Sequence, residues 1–146
     1  MNTLICESRL MILANRIGVM SLDELAAWAD EKILNTNEPP SFIIDIALGE
    51  IPESPRELDI VRNEMGVLEC SQLAQMISEK LYKKEIDLNE FGLQCYKLAL
   101  IAKDRPRELL HWISDEIYLC NEGVKSFPES EAMIKGAINE IVAISA

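Results

Sequence analysis

Residues 21–49 read SLDELAAWADEKILNTNEPPSFIIDIALG, a capped amphipathic helix, a double-proline break and a second apolar run. Ser21 opens it, because its hydroxyl accepts from a free backbone N–H while Glu24 reaches back, the S-x-x-E capping box. Leu22, Leu25, Ala29 and Ile33 form the apolar stripe; Asp23, Ala27, Asp30 and Glu31 point elsewhere. Pro39 and Pro40 end the helix, since each removes a donor and forces its predecessor out of the α region. After Pro40 a short helix is expected, with Phe42, Ile43, Ile46 and Ala47 on one face and Asp45 to the side, closed by Gly49 and Pro52. FIIDIAL also suits a strand, but the chain has no second strand-like run to pair with it.

Outward from this corner the same period recurs. Cys6, Leu10, Leu13, Ala14 and Ile17 mark a first helix over residues 4–17, stopped by Gly18. Ser54-Pro-Arg-Glu57 is a helix start with a capping serine and proline at the first helical position, followed by Leu58, Val61 and Met65 and a break at Gly66. Cys70, Leu73, Ala74, Ile77 and Leu81 carry the next helix, whose end collects Lys80, Lys83 and Lys84. Asp87-x-x-Glu90 starts a helix over 88–103 that is apolar nearly all round, the mark of an element surrounded by others. Asp104-Arg-Pro106 turns the chain; Leu109, Leu110, Ile113, Ile117 and Cys120 lead to Gly123, and a last helix from Ser126 buries Ile134, Ala137, Ile138, Ile141 and Val142. The expected fold is all-α: one domain over 1–146, a bundle of about six to eight helices in antiparallel hairpins around the central helix at 88–103.

Composition agrees. Hydrophobic residues make up 49% of the 146 but aromatics only 5%, so the core is aliphatic, as helix packing favours. Glu7, Arg9 and Arg16 interrupt the apolar N-terminus, which reads as neither a secretory signal nor a membrane span. Cys6, Cys70, Cys95 and Cys120 form no C-x-x-C and are read as reduced thiols of a cytoplasmic protein. Helix starts at Ser21, Ser54 and Asp87 recur every 33 residues, but the elements between them differ, and no repeat follows.

No catalytic, cofactor or metal motif occurs. His111 is the only histidine, with Asp115 and Tyr118 on its helical face, and is read as an exposed structural residue. Nucleophile elbows and glycine-rich phosphate loops are absent. Trp28 and Trp112 border their stripes, each a packed boundary residue or a binding anchor. The informative feature is charge: −11 in total, with −5 concentrated in residues 41–69 against +1 in 70–103. Such a surface repels nucleic acid and anionic membrane and attracts basic partners. Asp45, Glu50, Glu53, Asp59 and Glu64 are the candidate partner-binding residues, clustered around a proline-rich loop and one short helix.

Trp28-Ala-Asp, Glu38-Pro-Pro40 and Ile43-Ile-Asp-Ile-Ala-Leu48 together resemble the small helical immunity proteins of bacterial polymorphic-toxin and contact-dependent growth inhibition systems. The likeness covers roughly residues 21–49. It implies a cytoplasmic, non-enzymatic antitoxin without cofactor, whose partner is a cognate toxin domain, commonly a basic nuclease. The family has no universal site residues to carry over. The alternative expectation is a helical adaptor or regulatory module using the same surface for another basic or helical partner.

Overall fold

In the computed structural model, which describes residues 2–51 and 67–144, the Ser21 hydroxyl accepts from the Glu24 amide at 3.1 Å and the Glu24 carboxylate accepts from the Ser21 amide at 3.1 Å. The box therefore starts its helix where the sequence places it. Seven helices make up the regular structure of the described residues, with no strand among them: α1 (Asn2–Arg16), α2 (Leu22–Leu34), α3 (Ser41–Ala47), α4 (Val67–Tyr82), α5 (Leu88–Ile101), α6 (Asp104–Asn121) and α7 (Phe127–Ile144). The helix start at Ser54 and the break at Gly66 lie outside the described residues. α1–α3 and α4–α7 form two compact units.

In the first unit, FIIDIAL is helical, and Phe42, Ile43 and Ile46 join Ile12, Leu25 and Ala29 in one buried cluster. Trp28 packs against it half-buried, and Lys32 Nζ stands 5.9 Å from its ring centroid. The stripes read in the sequence differ at four positions: Cys6 and Leu22 are exposed, while Ser8 and Ile12 are buried in α1. The Ser8 hydroxyl is satisfied by donating 2.7 Å to the Leu4 carbonyl one turn back. Gly18 ends α1 at φ +86°, with the Val19 amide donating to Ala14 O and the Gly18 amide to Asn15 O. This left-handed exit satisfies the last carbonyls and costs glycine no Cβ clash.

In the second unit, α4, α5, α6 and α7 close a ring in which each helix packs on the next and α7 returns to α4. A link of two residues after α5, and of five after α4 and after α6, favours antiparallel neighbours. The cross-contacts agree: the Ser71 hydroxyl donates to Val142 O at 3.1 Å, Lys135 Nζ lies 5.1 Å from the Tyr82 ring, and Arg105 meets Glu140. The Asp87 carboxylate caps α5 by accepting from the Glu90 amide at 2.8 Å. At the other end Arg107 donates to Ala99 O and Leu100 O, so a side chain of α6 caps the carbonyls of α5. Gly92 lets these two helices approach: a Cβ there would lie 2.9 Å from Ile117 Cγ2.

α5 is one member of this ring, not a helix surrounded by the others: it packs on α4 and α6, burying Phe91, Gln94, Cys95, Leu98 and Ala99, while Leu93, Tyr96 and Leu100 face outward. Asp104, expected in a turn, instead begins α6 at φ +56°, a left-handed conformation that aspartate tolerates. Pro106 then sits in the first turn, where its missing N–H breaks no helical bond. Cys120 and Val142, expected inside, are half-buried at the rims of their stripes.

Candidate functional site

Of the five acids singled out by sequence, Asp45 and Glu50 lie within the described residues; Glu53, Asp59 and Glu64 do not. The two are brought together by how α3 ends. Gly49 takes φ +86°, the Gly49 amide donates to Ile46 O at 3.0 Å, and the Glu50 amide donates to Asp45 O at 2.9 Å. The backbone reversal thus ties residue 50 to residue 45. Asp45 is half-buried in the last turn and Glu50 is exposed just beyond it.

Both carboxylates sit at the negative pole of the helix, and α3 has no basic residue in its last turn. Among the described residues no cation pairs with either. The same unit carries further exposed acids: Asp23, Asp30 and Glu31 on α2 and Glu38 in the linker. Lys32, the cation of that helix, is engaged by Glu7 at 2.7 Å. The hydrogen bond to Glu7 holds the Lys32 ammonium above its ordinary pKa. The exposed side of α2, the linker and the end of α3 are therefore predominantly acidic, while the described arginines of the unit, Arg9 and Arg16, lie on α1. A cationic group would relieve the repulsion among these carboxylates.

The second unit holds the remaining candidates. His111 is half-buried, its ring edge-on to Tyr96 with centroids 6.1 Å apart, and Asp115 is exposed. The Lys80, Lys83 and Lys84 trio is the C-terminal cap of α4: Lys84 adopts φ +60°, and the Glu85 amide donates to Lys80 O at 2.9 Å. Among the described residues no group of three or more His, Cys, Asp or Glu side chains is placed to hold a metal ion, and no helix is long and apolar enough to cross a membrane.

Sequence reading passed over two features here. Glu116 is a buried carboxylate, 5% exposed, that accepts from Lys125 Nζ at 3.1 Å on both oxygens and from the Ser130 hydroxyl at 3.0 Å. Its position seven residues after Leu109 and three after Ile113 puts an acid on the apolar stripe, which was the available signal. The other feature is a groove between α6 and α7, about 460 Å³, lined by Arg105, Glu108, Trp112, Met133, Gly136 and Glu140 among others. Trp112 is 37% and Met133 44% exposed. Arg105 bridges the helices at one end of the groove, its Nε 2.8 Å from Glu140 Oε2. The Arg105 hydrogen bond holds the Glu140 carboxyl below its ordinary range. The bridge therefore supports the fold above the ordinary carboxylate pKa and is lost as pH falls through the lowered one.

The four thiols are free, Cys6 exposed, Cys120 half-buried and Cys70 and Cys95 buried. Burial pushes the Cys70 thiol up to about 11 and the Cys95 thiol higher still. In the native chain a water-soluble disulfide reagent is expected to modify exposed Cys6 rapidly and Cys70 and Cys95 only on unfolding. Because the folded thiol pKa is raised, the contribution to stability is complete below about 9 at Cys70 and is lost as pH rises towards about 11. Titration of unfolding midpoints between neutral and alkaline pH checks this.

Fold and surface together define an acidic all-α protein with a helical bundle and no catalytic constellation among the described residues. Comparison with family models, with curated proteins and with solved structures finds nothing that matches the chain.

Proposed function

We propose that the chain is an immunity-type inhibitor, a non-enzymatic cytoplasmic antitoxin that binds and neutralises a cognate basic toxin domain such as a nuclease. The observation that carries it is the junction of Asp45 and Glu50 at the negative pole of α3, where two carboxylates and the helix end reinforce one another without a cation among the described residues. The same unit carries exposed Asp23, Asp30 and Glu31 on α2 and Glu38 in the linker, and Glu53, Asp59 and Glu64 follow Glu50 in sequence. An arrangement of this kind steers a cationic domain to a defined face and is screened by salt. The likeness of residues 21–49 to immunity proteins supports the same reading.

The test is co-expression with a toxin encoded beside the gene, followed by binding of the purified pair. Growth rescue by the native chain is expected. The double variant Asp45→Lys/Glu50→Lys should fold normally, since both side chains lie outside the core, yet bind about 100-fold more weakly, with a slower association rate at low salt. Failure of the native chain to rescue growth overturns the reading; unchanged affinity in the double variant removes the site from it.

A further inference from the structure

Gly136 lies in the interior of an 18-residue helix, where glycine is a poor choice on backbone grounds. Neither of the usual reasons for it applies. Its φ is not left-handed, and a Cβ built there would meet no heavy atom within 4 Å, so the packing of α7 on its neighbours does not need the space. What the missing side chain leaves open is space in the groove between α6 and α7, whose buried lining is Leu109 and Ala137 and whose exposed lining includes Trp112 and Met133. Tryptophan and methionine are residue types enriched in interfaces, and methionine adapts to varied apolar partners.

The charges around this apolar centre are mainly acidic. Glu108 and Glu140 line one end, sharing Arg105 between them. On the same helical faces, one turn towards the other end, stand exposed Asp115, three residues from Trp112, and Glu129, four from Met133. The nearby cations are engaged elsewhere: Lys125 with Glu116, and Lys135 with Glu131 and the Tyr82 ring. From Arg105 to Trp112 the groove runs about 10 Å along the helix axes, two turns of an incoming helix.

We infer that this groove is a docking site for an amphipathic helix of a partner protein, which seats an apolar side chain over Gly136 between Trp112 and Met133 and sets lysine or arginine against the flanking carboxylates. A helix laid in a groove between two helices uses anchors one turn apart, the spacing available here. The inference stands apart from the antitoxin reading, since the acids of α3 belong to the other unit.

The probe is a synthetic capped helical peptide with leucines one turn apart and lysines flanking them, titrated into the full chain carrying Trp28→Phe so that Trp112 emission reports. A saturable blue shift is expected, weakened about tenfold when glutamates replace the flanking lysines and reduced by rising salt. Gly136→Leu puts a side chain into the open space of the groove while improving helix propensity. Its melting temperature should rise or hold, whereas its affinity for the peptide should fall about tenfold or more. No saturable shift, or equal affinity of the native and Gly136→Leu proteins, overturns the assignment.

Discussion

Phe91→Ala is expected to destabilise the α4–α7 unit by about 3–5 kcal/mol, a large part of the roughly 5–15 kcal/mol that a typical domain has in total. Phe91 is 1% exposed and is among the largest fully buried side chains. It sits in the first turn of α5, on the side continued by Cys95 and Leu98. Truncation removes its transfer free energy and leaves a cavity that neighbours on the flanking helices can fill only in part. Urea unfolding followed by far-ultraviolet circular dichroism should show a lower midpoint with an unchanged slope. Tyr118→Ala, at an exposed position of α6, serves as the control and should stay within about 0.5 kcal/mol. A loss below about 1 kcal/mol at Phe91 would contradict its place at the core.

Lys125→Met is the second large effect, expected at about 2–3 kcal/mol. It strips the cation from Glu116 and leaves a buried carboxylate held only by the Ser130 hydroxyl. Breaking a fully buried pair costs about 3–5 kcal/mol, but the Lys125 side chain is 35% exposed, and solvent reaching it moderates the loss. Ser130 is itself buried and accepts from the Cys120 thiol at 3.5 Å. The double variant Glu116→Leu/Lys125→Met should recover most of the stability, because removing both partners leaves no uncompensated charge. Unfolding midpoints for the two singles and the double give the coupling directly. Equal losses in the Lys125 single and the double would show that the lysine acts by packing alone.

Local chemistry was legible in the sequence wherever it is decided within a few residues. The Ser21 box, the Asp87 cap, the stop at Gly18 and the restart after Pro40 each rest on one side chain or one backbone angle. The burial stripes were legible in their middles and wrong at their edges: Leu25, Ala29, Ile113 and Ile138 are buried as expected, but Cys6 and Leu22 are not. Periodicity gives a direction around a helix axis; it does not say how far along the axis a neighbour extends. The candidate acids divide in the same way. That Asp45 and Glu50 lie close follows from a glycine at a helix end, which the sequence displays.

By itself, then, the chain of side chains determined that this protein is helical, where α1, α2, α3 and α5 start or stop, and that its surface is acidic. Those properties come from capping, proline geometry, apolar period and charge, all short-range or additive. Only the tertiary structure decided that Gly92 admits Ile117, that Arg107 caps the helix before its own, that Glu116 finds Lys125 and Ser130, and that Gly136 opens a groove rather than closing a contact. Each depends on which faces of two helices meet and at what axial offset, and that offset is set by the packing of the whole unit.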